Sequence, residues 1–291
     1  HWVACLPACG LGSIGILRAS RGRSAPAWSN EEPAALKIAV CVKEVPDATA
    51  PKRIDPGTKK LDRSGEKTMN PYDAHALEEA VRLKEGAAGA DSQITALCMG
   101  PEGALRTLHK ALSLGADEAL LVTDPALAGA DIAATARVLA AAAKHLGADL
   151  VLLGQQAADS DSYVMAAAVA EHLQLPLVTQ VARLELTADG VRAKRQTETG
   201  YDVVEAPLPV VISVSDAINE PRYASLKAIM GARKKPQNQI GLADLGVEAG
   251  TGTEVLELTP PVAKEGGRRI EDENGSSAEE IVAFLVERKA I

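Results

Sequence analysis

Gly147-Ala148-Asp149-Leu150-Val151-Leu152-Leu153-Gly154-Gln155-Gln156-Ala157-Ala158-Asp159-Ser160-Asp161-Ser162 contains, in order, a helix stop, a buried strand and a ligand-binding turn. Glycine at the joint supplies a left-handed C-cap. Four apolar residues with no polar alternation describe a strand covered on both faces. After Gly154 the side chains become small or polar, and a helix is expected from about Ser160 to Leu173, stopped before Pro176. A turn of that kind leaves backbone N–H groups free for a phosphate at the positive end of a helix dipole. The same residues also allow Ser160 or Asp161 simply to cap the helix, and both readings can hold at once. Asp159 and Asp161 suit capping better than acid/base or metal work, because no His, Cys or Glu lies nearby in sequence.

The same joint recurs at Gly89-Ala90-Asp91 and Gly115-Ala116-Asp117. Strands are expected at Ile38 to Lys43, Gln93 to Gly100, Ala119 to Thr123 and Leu150 to Gly154, with a later block at Val178 to Leu186, Val191 to Gln196 and Val210 to Val214. Helical stretches separate the first four, which requires crossover connections and a largely parallel sheet. The first helix has clear signals: Asn70 as N-cap, Pro71 at the first position, Asp73 in the first turn, Ala76, Ala80 and Leu83 on one face, and Gly86 at the end. Further helices are expected near Ala104 to Leu114 and from Asp131 to Leu146. The fold class is therefore α/β, a Rossmann-like and largely parallel sheet flanked by helices. In such sheets ligands sit outside the carboxyl ends of the strands. That singles out the loops after Lys43, before Pro71, after Gly100 and after Gly154.

Composition limits the function. Of 291 residues, 46% are hydrophobic but only 2% aromatic, so the core must be built of Ala, Val, Leu and Ile. Few aromatics and a net charge of -8 argue against a nucleic-acid partner. No run of about 20 apolar residues suggests a membrane span. Cys5, Cys9, Cys41 and Cys98 form no CxxC, and His1, His75, His109, His145 and His172 are scattered, so neither metal nor a disulfide framework is expected. No nucleophile motif or Walker A loop is present, and catalytic residues are not expected.

Residues 1–35 read as an N-terminal extension. Within it, His1 to Asn30 carries Arg18, Arg21 and Arg23 and no acid, which resembles a transit peptide. The apolar stretch from Trp2 to Leu17 could also pass for a signal segment, or the extension is absent from the mature protein. Gly10-Leu11-Gly12-Ser13-Ile14-Gly15 has the form GxGxxG but lacks the strand before and helix after that a dinucleotide site needs. The nucleotide-binding domain is expected over 36–236 and a C-terminal extension over 237–291. Near the domain's end, Asn219-Glu220-Pro221-Arg222-Tyr223-Ala224-Ser225-Leu226-Lys227-Ala228-Ile229-Met230 places Leu226, Ile229 and Met230 at one-turn spacing, before a basic run through Lys234 and Lys235. It is either a short surface helix with a core-facing stripe or a protruding anchor whose apolar knob enters a partner's pocket.

Lys37 to Lys43, Met69-Asn70-Pro71-Tyr72-Asp73, Leu152 to Ala157 and the Asn219 to Pro236 stretch together resemble the beta subunits of electron transfer flavoproteins. The resemblance runs from about Lys37 to the C-terminus. It implies an adenine nucleotide alpha hydrolase-like fold and a heterodimer with an alpha subunit. It further implies an FAD, held mostly by alpha, that carries electrons from flavin dehydrogenases such as acyl-CoA dehydrogenases to a quinone oxidoreductase or another acceptor. The beta chain of such proteins holds a structural AMP. By position, Cys41, Asn70, Tyr72, Asp73, Met99, Gly154, Gln156, Asp159, Ser160, Asp161 and Ser162 would line that pocket. Arg222, Tyr223, Leu226, Ile229, Met230, Lys234 and Lys235, within a recognition loop over 219–236, would meet the partner. The C-terminal extension would pack on the alpha subunit. Ala48 replaces an aromatic found in some members, and Ser160, Ser162 and Met165 depart from the common loop residues. A subset of the family binds a second FAD in place of AMP and bifurcates electrons. A stand-alone ATP-binding enzyme is the alternative of another class. The implied location is the bacterial cytoplasm, or the mitochondrial matrix if residues 1–30 are a transit peptide.

Overall fold

The structure is a computed structural model and describes residues 16–18, 36–47, 49, 53–250, 252–257, 269–272 and 275–291. The GxGxxG at 10–15 and Ala48 lie outside the described residues. The chain forms one compact unit through Glu254 and a second from Val255 to Ile291.

In chain order, the first unit contains β1 (Ile16–Arg18), β2 (Lys37–Cys41), β3 (Glu44–Pro46), β4 (Ile54–Asp55), β5 (Lys60–Leu61), β6 (Lys67–Met69) and α1 (Pro71–Glu85). Then come β7 (Gln93–Met99), α2 (Leu105–Leu114), β8 (Glu118–Val122), α3 (Ile132–Leu146), β9 (Leu150–Gly154) and α4 (Met165–Leu173). A meander of β10 (Leu177–Thr187), β11 (Gly190–Thr197) and β12 (Gly200–Ala206) follows, and β13 (Val210–Val214), α5 (Leu226–Ala232), β14 (Gln237–Ile240) and α6 (Leu242–Leu245) complete it. The main sheet runs β1-β12-β11-β10-β13-β9-β2-β7-β8-β14. It is parallel everywhere except at the two β11 pairings. Ile38 of β2 lies in register between Leu150 of β9 and Ile94 of β7.

Alternation along these covered strands builds a core on each face. Ile38, Val40, Ile94, Ala96, Leu150 and Leu152 join α1 and α2 on one side. Cys41, Leu97, Val151 and Leu153 join α3 and α4 on the other. Among the described residues no aromatic side chain is buried, and the alanines of α3 and α4 let helices approach closely instead. Each fully buried Leu or Ile contributes roughly 1.5–3 kcal/mol.

The Gly-Ala-Asp joints work in a way the sequence conceals. Gly147 is left-handed (φ 63°) and closes α3. Gly89 is not, because α1 has already ended at Gly86 and Gly89 lies in a short 3-10 turn. At two of the joints the aspartate does the work. Asp149 exchanges bonds with Lys37, its N–H reaching Lys37 O (2.9 Å) and its Oδ2 accepting from Lys37 N (3.0 Å). Asp117 makes the same closed ring with Ile94, both bonds at 2.8 Å. These two joints thus pin the incoming strand to its parallel neighbour. Strands β12 and β14 were not anticipated. Through β14, which pairs with β8, the main sheet extends past residue 236, where the sequence reading ended the domain. The second unit contains α7 (Ser277–Glu287), whose Ile281, Val282, Phe284 and Val286 are exposed. Among the described residues no helix is long and apolar enough to cross a membrane.

Candidate functional site

From β2 the chain moves outward to β7 and β8, then returns to the other side of β2 with β9. The order reverses between β2 and β9, so a crevice opens where Cys41 and Gly154 end their strands. Three segments meet there: the chain after β2, the start of α1, and the loop after β9.

Asn70 stands at the N-cap position, but its side chain makes no cap bond. It is 1% exposed and staples the loop instead: Nδ2 donates to Gln156 O (2.8 Å) and Oδ1 accepts from Ala158 N (3.1 Å). Asp73 likewise does more than balance a dipole. Its Oδ2 accepts from Lys43 N (2.8 Å). Burial pushes its carboxyl up to about 7, against bonds from Asn70, Lys43 and Gly154 that favour the charged form. Gly154 is required by space, since a Cβ there would lie 2.6 Å from the Tyr72 carbonyl carbon and 2.8 Å from Asp73 N.

Asp159 turns inward. Its carboxylate accepts from Lys43 Nζ (2.8 Å) and from Arg63 Nη2. Burial raises its pKa, but Lys43 and Arg63 together hold it below the usual carboxylate range. With Asp159 drawn in, the loop makes a tight turn: Ser160 N (3.1 Å) and Asp161 N (2.8 Å) both donate to Ala157 O, and Asp161 is left-handed (φ 47°). The expectation that Ser160 or Asp161 caps the next helix is therefore corrected. That helix, α4, begins at Met165 after Val164, without a side-chain cap. Ser160 and Asp161 are exposed.

Two buried polar atoms of this loop, Gln156 Oε1 and Ser162 Oγ, have no hydrogen-bond partner among the described residues. Buried polar groups nearly always find one; Ser92 Oγ and Arg137 Nε lack one elsewhere, but only Gln156 and Ser162 fall on one loop at the crevice, which suits a ligand-facing surface. Cys41 is buried at the end of β2, and its thiol is pushed well up by burial and by Asp73. Tyr72 is half-buried beside Gly154, and Met99 packs partly buried against the α3–α4 core. The bonds thus bring Asn70, Asp73, Gly154, Gln156 and Asp159 together. Sequence reasoning missed Lys43 and Arg63 as members. Lys43 had a positional signal at the end of the first strand; Arg63, carried in after the β4–β5 hairpin, had none. Among the described residues no metal-holding cluster of three or more His, Cys, Asp or Glu occurs.

A second surface forms around α5. Tyr223 (98% exposed), Leu226 (75%), Ile229 and Met230 project outward, and Lys234 is exposed. Only Ala232 of α5 is buried, so its apolar stripe does not face the core. Arg222 and Lys235, expected to meet a partner, are turned toward the chain itself. Arg222 pairs with Glu78 and Glu85. Lys235 Nζ donates to Leu112 O (2.9 Å) and Ala116 O (2.6 Å), and burial lowers its pKa.

A family model described as the electron transfer flavoprotein domain matches residues 58–245. A Mycobacterium tuberculosis protein named electron transfer flavoprotein subunit beta is 37% identical over 264 residues, covering 87% of this chain and 99% of its own length. A Thermoanaerobacterium thermosaccharolyticum protein of the same name is 38% identical over 262 residues, covering 87% and 97%. Caffeyl-CoA reductase-Etf complex subunit CarD of Acetobacterium woodii is 37% identical over 262 residues, covering 87% and 97%.

Proposed function

The chain belongs to the electron transfer flavoprotein beta-subunit family, and from that premise we propose that it holds AMP as a structural ligand and docks electron donors for an alpha subunit. The reading rests most directly on the unpartnered Gln156 Oε1 and Ser162 Oγ at the carboxyl end of β9. A nucleotide fits these groups: the Ser162 hydroxyl suits a phosphate as a donor, Gln156 Oε1 as an acceptor suits a ribose hydroxyl or the adenine amine, and Lys43 and Arg63 supply positive charge beside Asp159. Cys41 and Met99 add apolar surface suited to a base. The redox chemistry in this reading belongs to an FAD held mostly by the alpha subunit. This chain's own residues bind, position and dock. The donors are flavin dehydrogenases such as acyl-CoA dehydrogenases, the acceptor is a quinone oxidoreductase, and the apolar group around Leu226 is the docking knob.

The likeness to a subunit of a caffeyl-CoA reductase-Etf complex keeps a second reading in view, with a second FAD in place of AMP. Co-expression with the cognate alpha subunit and extraction of the bound small molecules tests both. One FAD and one AMP per heterodimer is the expected result. Two FAD and no AMP would select the second reading, and a heterodimer without either nucleotide would refute both.

A further inference from the structure

The segment leading into α5 lies along one stripe of α1. His75, Glu78, Glu79, Arg82 and Glu85 recur at three- and four-residue spacing, which puts them on one face of the helix. Each of them meets residues 219–222. Asn219 Nδ2 donates to His75 O and to Glu79 Oε2, both at 3.0 Å, and Asn219 O lies 2.9 Å from His75 Nδ1. Arg82 Nη2 reaches Glu220 O at 3.4 Å. Arg222 forks between two turns of α1: Nε to Glu78 Oε2 (2.7 Å), Nη2 to Glu78 Oε1 (3.1 Å), Nη1 to Glu85 Oε1 (2.6 Å) and Nη2 to Glu85 Oε2 (2.9 Å). Its backbone N–H adds a further bond to Glu78 Oε2 (3.2 Å). Planar, bidentate pairs of this kind fix geometry as well as charge.

The far end of the segment is tied too, by Lys235 to Leu112 O in the last turn of α2 and to Ala116 O in the joint after it. Between the two ties stands a helix of seven residues with one buried side chain. An isolated helix that short does not hold itself together. Something other than propensity and core packing keeps Tyr223, Leu226, Ile229 and Met230 projecting in one arrangement.

We infer that the Arg222 fork on Glu78 and Glu85 is a positioning device that presents the α5 knob in its docking conformation before a partner arrives. Arg222 acts through the segment it holds and does not itself touch the partner. The inference rests on the reading that the α5 surface docks flavin dehydrogenases. Preorganisation removes the ordering cost of a loop at the moment of binding, so losing the fork should weaken association and leave electron transfer within the complex unchanged.

The test uses the heterodimer with its alpha subunit, carrying Arg222→Ala or Arg222→Lys, with Leu226→Ala as the control for docking itself. Amide hydrogen exchange at 226–232 should rise about tenfold in Arg222→Ala and less in Arg222→Lys, with 132–146 unaffected. With an acyl-CoA dehydrogenase as donor, the KM for the heterodimer should rise about tenfold in Arg222→Ala at unchanged kcat and flavin content, with partial recovery in Arg222→Lys. Unchanged exchange overturns the inference, and so does faster exchange with unchanged KM. If Leu226→Ala raises the KM while Arg222→Ala does not, the fork alone is refuted and docking stands. If neither raises it, docking by this surface is refuted as well. Should Arg222→Ala not assemble, Glu85→Gln keeps the Glu78 pair and is read by the same two measurements.

Discussion

Asp73 offers a prediction whose size follows from its surroundings. Burial lifts its carboxyl from an ordinary 3.8 to about 7, so the folded chain holds the proton more tightly than the unfolded one. A raised acid of this kind leaves stability intact below the unfolded pKa and removes it as pH climbs toward the folded pKa. A shift of about three units at about 1.4 kcal/mol per unit amounts to roughly 4 kcal/mol in full, of which about 3 kcal/mol falls between pH 5 and pH 8. Asp73→Asn keeps the volume and does not titrate. Its amide N–H₂ would oppose a donor at either Lys43 N or Gly154 N, which adds a constant cost at every pH. Urea denaturation of the heterodimer at pH 5 and pH 8, followed by far-UV circular dichroism, separates slope from offset. The wild type should lose about 3 kcal/mol more than Asp73→Asn over that interval. Parallel pH dependence of the two proteins would refute the assignment of a buried, proton-binding Asp73.

Gly154→Ala places a methyl 2.6 Å from the Tyr72 carbonyl carbon; it should destabilise the chain by about 1–3 kcal/mol and lower the nucleotide recovered per heterodimer. Asn70→Ala deletes both bonds to the 156–158 loop; about 2 kcal/mol of stability should go, and nucleotide should be lost on gel filtration more readily than from the wild type. Asp131 caps α3 through Ala134 N (2.8 Å) and also accepts from Gly252 N (2.7 Å) and Thr253 Oγ1 (3.0 Å). Asp131→Ala should cost about 1 kcal/mol in denaturation and speed amide exchange at Gly252 without changing nucleotide content.

The sheet was legible because its evidence is periodic. Apolar runs such as Leu150 to Leu153, separated by amphipathic helices, admit few other arrangements, and the observed strands differ from the expected ones by a residue or two. Strand β14 was hidden by its composition, since Gln237-Asn238-Gln239-Ile240 carries no apolar alternation and pairs only as an edge. Asn70 was recognised as a helix start because capping and stapling call on the same residue type; only the tertiary position of the loop after β9 decides which carbonyl its amide meets. Arg222 and Lys235 show the same limit for charge. A basic residue next to an exposed apolar stripe reads as a contact for a partner, yet the direction of a long side chain depends on acids and carbonyls far away in sequence, Glu78 and Leu112 here. Arg63 was invisible for the same reason, as it reaches Asp159 across 96 residues.

The buried polar side chains that tie the loops in place share a location that explains their cost. Among the described residues every buried Asn, Asp or Glu, namely Asn70, Asp73, Glu78 and Glu79, lies on α1 or at its first turn. Burying such groups is unfavourable unless each is paired, and apolar side chains would pack α1 on the sheet at less expense. The pairings observed run to the loop after β9 at one end and to the 219–222 strap along the helix. A helix of 15 residues spans about 22 Å, so one rigid element carries the wall of the proposed nucleotide site and the seat of the proposed docking knob. Apolar burial fixes where α1 lies. The buried polar groups fix what is attached to it, and that is why the residues least favourable for stability are the ones on which the functional reading depends.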